Sequence, residues 1–303
     1  MKKQSLKKYK KWLDNNFVDI KDKTVAVTGS TGAIGTFIVE YLLHLKANVI
    51  LIGRNAESLS NLKNILEEKY NTKIKYLIID YDNINSLYKG INDLKVSKID
   101  YLINNAGIYH QKYKIINGFE RTFYVNYLLP MYLTFNLLKD NKDLKVINVS
   151  SISYHYKKVD FDDFDNKTTK DMTLRYAQSK KELILFSIYL KELGYKVNLA
   201  HPGISCTNLF SAKNGGYNKA FYKLIVPIMR KIFISPAKAA LPIVKSLDED
   251  FKIDEWQGPS KFFHSYGYPK VYKLSKQLFK KNMISKNAEL TLKLFEYLDK
   301  NKQ

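Results

Sequence analysis

Residues 24–35 read TVAVTGSTGAIG, a short β-branched run that passes directly into a glycine-rich turn. Val and Thr favour strands, and Gly29, Gly32 and Gly35 let the backbone bend sharply before a helix begins. A helix N-terminus offers free N–H groups and a partial positive charge, which suit a pyrophosphate. No lysine follows Gly35, so the turn is not a phosphate loop of the GxxxxGKS type. The stretch predicts either a dinucleotide site or a plain strand-to-helix connection.

Strand-like and helix-like patterns alternate after this turn. Further strands are predicted at residues 48–52, 73–80, 100–104, 145–151 and 196–200. Helices are predicted at residues 35–45, 55–70, 117–138 and 174–193, with a last strand near 261–263 and a final helix near 287–298. Such alternation favours a parallel sheet covered on both faces. We therefore predict an α/β fold, a single doubly wound Rossmann domain with a mostly parallel sheet and helices on both faces.

The chain of 303 residues shows no internal repeat and no low-complexity linker. We expect residues 1–20 to form a basic helical extension and residues 21–303 to form one domain. Within that domain we expect a substrate lid at about 204–234 and a helical C-terminal segment at about 236–301. No apolar run reaches the ~20 residues that span a bilayer, and the single cysteine, Cys206, has no partner for an internal disulfide. We therefore expect a cytoplasmic protein.

The net charge of +21 raises the question of a polyanionic partner. Because the lysines are spread along the whole chain, we favour a solvated basic surface with no specific nucleic-acid partner. At the N-terminus, lysines flank Leu6, Tyr9, Trp12 and Leu13, which predicts a basic amphipathic helix. That helix either packs Trp12 on the domain, which we favour, or makes a peripheral contact with an anionic membrane.

The residue after the second predicted strand bears on the choice of dinucleotide. An acidic side chain there binds the ribose hydroxyls of NAD and repels a 2′-phosphate. This sequence has Gly53-Arg54-Asn55 instead, with no carboxylate before Glu57. Because an arginine pairs bidentately with phosphate, we favour NADP and keep NAD as the alternative. The alternative interpretation is that Arg54 is a solvated charge at the start of a helix and does not bind the cofactor.

Tyr176 and Lys180 lie four positions apart in a predicted helix, so their side chains share one face. A tyrosine has a pKa near ~10 in water, and a nearby ammonium group favours its phenolate form. Taken with the nucleotide turn, this pair points to hydride transfer. Each residue alone is equally well explained as an ordinary helix residue or a solvated charge.

The candidate residues follow the ends of six successive predicted strands. In order along the chain they are Gly29–Gly35, Arg54, Asp80, Asn105–Gly107, Ser151 and Pro202. Parallel strands bring their carboxyl ends to one edge of the sheet, where ligands bind. Asp80 suits either an adenine amino group or a cap on the following turn. Asn104 and Asn105 either fix backbone groups or touch the adenosine, and both interpretations place them in the same crevice.

These residues together resemble the short-chain dehydrogenase/reductase (SDR) family and, within it, the retinol-dehydrogenase-like branch. The motifs that carry the resemblance are Thr28–Gly35, Asn104–Gly107, Asn126, Ser150-Ser151, Tyr176–Lys180 and His201-Pro202-Gly203 followed by Thr207. Ser151 and Tyr176 are 25 positions apart, a long spacing that is similar to this branch and fits the acidic insert at residues 160–171. The resemblance covers the chain from about Val25 to its C-terminus.

The resemblance implies a role for each catalytic candidate. Tyr176 would be the acid or base, Lys180 would lower its pKa and hold the nicotinamide ribose, and Ser151 would bond the substrate oxygen. Asn126 would hold a water of a proton relay, and Thr207 would fix the nicotinamide carboxamide. The residues expected at the cofactor are Gly29, Ser30, Thr31, Gly32, Ile34, Gly35, Arg54, Asp80, Tyr81, Asn105, Ala106, Gly107, Tyr176, Lys180, Pro202, Gly203 and Thr207.

The substrate is defined only by class. The expected lid is rich in apolar residues such as Leu209, Phe210, Phe221 and Met229, which favours a lipophilic aldehyde, ketone or alcohol. The sequence thus predicts an NADPH-preferring oxidoreductase without a metal site, and a homo-oligomer is an open alternative to a monomer. The competing functions are a non-catalytic NADP-binding regulatory or scaffold protein and, from charge alone, a polyanion-binding protein.

Overall fold

The structure is a computed structural model that describes residues 3–17, 19–204, 234–248, 250–261, 266–280 and 282–301. Its strands are β1 (Thr24–Thr28), β2 (Asn48–Gly53), β3 (Lys75–Ile78), β4 (Tyr101–Asn104), β5 (Ile115–Ile116), β6 (Phe119–Glu120), β7 (Lys145–Val149), β8 (Val197–Ala200), β9 (Glu255–Lys261) and β10 (Tyr266–Lys273). Eight of them form one sheet in the order β10-β9-β8-β7-β4-β1-β2-β3. Only β10 runs antiparallel to its neighbour, so the predicted, mostly parallel doubly wound sheet is confirmed.

Helices cover both faces of the sheet. They are α1 (Lys3–Asn16), α2 (Gly35–His44), α3 (Ala56–Tyr70), α4 (Ile84–Val96), α5 (Arg121–Phe123), α6 (Leu129–Asp140), α7 (Met172–Glu192), α8 (Pro236–Lys245) and α9 (Met283–Lys300). One core packs α4, α6, α7 and α9 on one face, and a second core packs α1, α2, α3 and α8 on the other. Asparagine, aspartate or serine side chains cap α3, α4, α7 and α8, which fixes where these helices begin.

One sequence prediction about secondary structure is wrong at its start. The helix expected at residues 117–138 begins only at Arg121, because Asn117 and Gly118 both have positive φ and turn the tight β5–β6 hairpin. An Asn-Gly pair is the usual signal for such a turn. The last strand, expected near 261–263, is found at Lys261, where β9 ends and pairs with β10, while residues 262–263 lie outside the described residues. Pro259 and Pro269 face each other in this outer pair of strands, where a missing N–H is tolerated.

The N-terminal helix packs on the domain. The Trp12 ring stacks on that of Tyr268 at a centroid distance of 5.3 Å, and Leu13 is fully buried. Lys7, Lys8 and Lys11 remain exposed on the outer side of α1. Among the residues that the structure describes, no helix combines the length and apolar character needed to cross a bilayer. The packing alternative for Trp12 is therefore the one that the structure shows.

The strand order creates a crevice beside β1. The chain crosses from β1 to β2 on one side and later returns to β4 on the other side. The loops after β1 and β4 therefore leave the sheet in opposite directions and open a gap at its carboxyl edge. Gly29–Gly35 and Asn105–Gly107 follow these two strands, so both predicted cofactor segments border the gap.

Candidate active site

Two glycines give the first turn its shape. Gly29 has φ +67°, and a Cβ built there would lie 2.9 Å from Cα of Ala106. A Cβ on Gly35 would overlap the carbonyl oxygen of Gly29 and lie 2.9 Å from its carbonyl carbon. Ala33 occupies the place where the family usually has its second glycine, and its φ is not positive. The turn therefore depends on Gly29 and Gly35 and accepts a methyl group at residue 33.

Hydrogen bonds tie this turn to the loop after β4. Thr28 Oγ1 accepts from the backbone N–H groups of Asn105 and Ala106, at 3.0 Å each. Asn105 Nδ2 donates to the carbonyl oxygen of Thr28 at 3.0 Å. The two loops thus form one rigid floor at the switch point of the sheet.

A cavity of about 450 Å³ lies above this floor. It is lined by predicted cofactor residues, namely Gly29, Thr31, Gly32, Ile34, Gly35, Arg54, Asp80, Tyr81, Asn105, Ala106 and Gly107. Arg54 is exposed at its wall. Asp80 Oδ1 accepts from the N–H of Asp82 at 3.0 Å, so this residue caps the turn while lining the cavity.

Of the predicted cofactor residues that the structure describes, five do not line this cavity, namely Ser30, Tyr176, Lys180, Pro202 and Gly203. Ser30 is fully buried, donates to the Val27 carbonyl at 2.6 Å and accepts from the Ile52 N–H at 3.0 Å. Its side chain therefore joins β1 to β2, and a contact of Ser30 with the cofactor stays a prediction. Pro202 and Gly203 follow β8, where the Gly203 N–H donates to Nδ1 of buried His201. Thr207 and most of the expected lid lie outside the described residues.

The structure brings Ser151, Tyr176 and Lys180 together beside this cavity. A hydrogen bond from Ser151 favours the Tyr176 phenolate, but burial is the larger effect and raises the pKa of Tyr176 to about 12, with a further contribution from Tyr109. The rings of Tyr109 and Tyr176 meet edge to face at 4.7 Å. Since Tyr109 also lines the cavity, the tyrosine pair marks where the cavity reaches the catalytic candidates.

Lys180 lies on the predicted face of α7, and its ammonium points towards β7. Its Nζ lies 5.9 Å from the ring centre of Tyr176 and donates to the Val149 carbonyl at 2.8 Å. Burial lowers the pKa of Lys180 to about 8. Burial is the dominant effect on the phenol, and the expectation that Lys180 lowers the pKa of Tyr176 stays a prediction.

Asn126 lies in a π-helical turn, Tyr124–Leu128, between α5 and α6. Its Oδ1 accepts from the Ile108 N–H at 2.7 Å, and its Nδ2 donates to the Ile108 carbonyl at 2.8 Å. A Cβ on Gly107 would lie 3.2 Å from this Oδ1 and 3.8 Å from Nζ of Lys180. Asn126 therefore holds the cavity wall next to Lys180, and the water relay stays a prediction.

Several residues of the cavity were not predicted from the sequence. Tyr109 and Gln111 follow the Asn-Ala-Gly motif closely, and that proximity was the available signal. Asp82 and Arg121 form a two-bonded ion pair at the wall, with distances of 3.1 and 2.7 Å. Because these two residues are 39 positions apart, no local sequence pattern predicts that they form an ion pair.

Comparison with known proteins agrees with this geometry. A family model described as short chain dehydrogenase matches residues 23–162. Mouse retinol dehydrogenase 13 is 32% identical over 74% of this chain and 70% of its own length. Human polyprenol dehydrogenase is 31% identical over 66% of each chain, so the alignment spans about two thirds of that relative.

The fold is also found in solved structures. A protein from Mycobacterium paratuberculosis superimposes with a TM-score of 0.70, covering 93% of this chain and 96% of the other at 23% identity. That similarity concerns the fold alone, and the family follows from the sequence matches. The chain belongs to the short-chain dehydrogenase/reductase family of NAD(P)-dependent oxidoreductases, in its retinol-dehydrogenase-like branch.

Proposed function

We propose that this protein interconverts a lipophilic aldehyde or ketone and its alcohol, with NADPH as the preferred cofactor and Tyr176 as the acid or base. The observation that carries the proposal is that Tyr176 contacts Tyr109, which lines a cavity that suits a dinucleotide, and that the Lys180 ammonium lies 5.9 Å from the phenol ring. A single shared function explains why a half-buried phenol, a buried ammonium and a glycine cradle lie at one edge of the sheet.

The residues of the cavity fit a nicotinamide dinucleotide. Side-chain carbons at Gly29 and Gly35 would fill the cradle, so the backbone is kept open for a close approach. The N-terminus of α2, which begins at Gly35, places a partial positive charge where a pyrophosphate would lie. When bound, the nicotinamide donates or accepts the hydride.

The protein's own groups would handle the proton and the charge on oxygen. In carbonyl reduction, the Tyr176 hydroxyl donates its proton to the substrate oxygen while the Ser151 hydroxyl donates a hydrogen bond to the same atom. Such donors matter most where water is excluded. The Lys180 ammonium then favours the phenolate left on Tyr176, and alcohol oxidation reverses these proton movements.

Arg54 supports the preference for NADPH. It is exposed at the end of β2 and lines the cavity, and the fork of its guanidinium suits a 2′-phosphate. We expect Arg54→Asp to weaken NADPH binding and strengthen NADH binding, because a carboxylate repels the phosphate and accepts from ribose hydroxyls. Arg54→Gln is the control that removes charge without reversing it. Fluorescence titration measures both affinities, and an unchanged ratio for Arg54→Asp would contradict the role of Arg54.

Tyr176→Phe tests the catalytic role. We expect turnover of lipophilic aldehydes to fall by ~10²–10⁴-fold, while NADPH affinity stays within about twofold, because the phenol oxygen contributes chemistry more than binding. Equal turnover of the variant and the wild type would exclude Tyr176 as the acid. Tight NADPH binding by a wild type that reduces none of the aldehydes and ketones tested would favour the non-catalytic alternative.

The lipophilic substrate class rests on two features. The relatives are named for retinol and polyprenol, both long apolar alcohols, and residues 205–233 are rich in apolar residues. The individual substrate, the direction of the reaction and the expected cytoplasmic location stay predictions.

A further inference from the structure

Arg175, the residue immediately before Tyr176, is a fully buried cation. Its Nε lies 3.1 Å from Oε1 of Glu120, which is also fully buried. A buried charge is costly unless it is paired and hydrogen-bonded. A buried ion pair is often no more stabilising than an apolar pair of similar volume. The stability of the fold therefore gives no strong reason for an arginine at this position.

The remaining guanidinium nitrogens hold two other segments. Nη1 donates to the carbonyls of Lys170 and Thr169, at 2.6 and 3.2 Å. Nη2 donates to the carbonyl of Gln111 at 2.8 Å. The first segment ends the acidic insert, and the second forms the wall of the cofactor cavity. One side chain thus fastens the insert and the cavity wall to the helix of Tyr176.

Glu120 extends the same connection to the helix of Asn126. Its Oε2 accepts from the N–H groups of Thr122 and Phe123, at 2.8 and 3.0 Å, which caps the start of α5. The π-helical turn with Asn126 follows α5 directly. The ion pair therefore joins the helix of Asn126 to the helix of Tyr176 and Lys180.

We propose that Arg175 is a positioning residue, which sets the place of Tyr176 relative to the cavity wall by holding Glu120 and the Gln111 carbonyl together. Tyr109 lies two positions before Gln111, and its ring contacts that of Tyr176 at 4.7 Å. Movement of the wall therefore moves a direct neighbour of the phenol. This inference rests on the proposed oxidoreductase function.

Arg175→Lys separates positioning from charge. A lysine keeps a cation beside Glu120 but lacks the rigid fork that reaches the Gln111, Thr169 and Lys170 carbonyls at the same time. We expect the Tm to stay close to that of the wild type and NADPH affinity to change less than about threefold. We expect kcat to fall by ~10²-fold, as displacement of a reacting group by about 1 Å does. Unchanged kcat in Arg175→Lys overturns the proposal.

A double variant tests the purely structural alternative. Arg175→Met should lower both Tm and kcat, because Glu120 is left buried and unpaired. Adding Glu120→Met should restore Tm but not kcat, and recovery of both overturns the proposal. Lys69→Met is a control on the opposite face of the sheet, since it removes one of the two cations, Lys69 and Lys10, that pair with the buried Glu40. It should lower Tm without changing kcat.

The same assays distinguish this inference from the proposed function. If the wild type binds NADPH but reduces no aldehyde or ketone, the proposed function fails and the positioning role fails with it. If the wild type turns over and Tyr176→Phe does not, the proposed function stands. Arg175 is then judged only by the kcat of Arg175→Lys and of the double variant.

Discussion

Lys180→Met should stabilise the ligand-free protein. Folding buries the Lys180 ammonium and lowers its pKa from 10.5 to about 8. At pH 7 such a shift means that the fold is destabilised by about 3 kcal/mol relative to a group with an unperturbed pKa. The variant also loses the bond from Nζ to the Val149 carbonyl, at about 1 kcal/mol. We therefore expect a net gain of about 2 kcal/mol in the free energy of unfolding.

The sign of this effect predicts a specific dependence on pH. Between pH 8 and 10.5 the unfolded chain holds the Lys180 proton more tightly than the folded one, so wild-type stability rises with pH. Methionine has no proton to lose. The advantage of the variant should be full below pH 8 and should vanish near pH 10. Urea unfolding of both proteins from pH 7 to pH 10 measures the difference.

Activity should change in the opposite direction, and a second lysine provides the control. Lys180→Met should lose carbonyl reduction, because the developing phenolate of Tyr176 loses its cation. Burial also lowers the pKa of Lys191 to about 8, and this lysine lies on the same helix, about 16 Å further along its axis. Lys191→Met should leave kcat unchanged. A Lys180→Met variant that is less stable than the wild type at pH 7, or equally stable at every pH, would refute the account of its burial.

Three further outcomes follow from the same geometry. Gly35→Ala should weaken NADPH binding by ~10–100-fold in a fluorescence titration, because overpacking against Gly29 costs roughly 1–3 kcal/mol. Gly32→Ala, whose Cβ would lie 3.1 Å from the Gly29 oxygen, should weaken NADPH binding less. A larger loss of affinity in Gly32→Ala than in Gly35→Ala would contradict this description of the turn. Ser30→Ala should lower the free energy of unfolding by roughly 1–3 kcal/mol, because the Ile52 N–H loses its acceptor. The variant should retain its kcat. A loss of kcat at unchanged stability would indicate that the Ser30 side chain contacts the cofactor. Carbonyl reduction should be constant below pH 7 and decline above about pH 8, as Lys180 loses its proton; a profile without this decline would contradict a role for the ammonium.

The parts of the site that can be predicted from sequence are those set by local spacing. Tyr176 and Lys180 share a helix face because they are four residues apart, and Gly29 and Gly35 belong to one turn. The alternation of strands and helices predicts that the candidate residues meet at the carboxyl edge of the sheet. Each of these features depends on at most a few neighbouring residues, so the sequence alone carries the information.

The features that escaped prediction depend on pairs that are distant in sequence. Asp82 meets Arg121 only because β3 and α5 border the same cavity. Arg175 meets Glu120 only because the β5–β6 hairpin brings Glu120 to the start of α5. A continuous helix from residue 117 would have placed Glu120 inside a helix rather than at its cap. The wrong secondary structure there concealed the contact as well.

The pKa of Tyr176 shows a different limit. Spacing correctly predicts that Lys180 is near, but not which way its ammonium points or how much water remains around the phenol. In the structure the ammonium donates to β7, and burial raises the pKa of Tyr176 to about 12. A phenol with so high a pKa is protonated at neutral pH and is a weaker acid than a tyrosine in water. Its use as a proton donor therefore depends on groups that stabilise the phenolate, which helix spacing alone does not reveal.

Burial sets Lys180 apart from most of the 50 basic residues of the chain. Lys10, Lys181, Lys191 and Lys238 also have lowered pKa values, but neighbouring charges contribute to each of them after burial. For Lys180 burial is the one cause resolved. A cation that is buried without a carboxylate to offset its desolvation weakens the fold, as the Lys180→Met prediction quantifies. Lys181 and Lys238 also lack such a carboxylate, so the feature that distinguishes Lys180 is its position beside the Tyr176 ring.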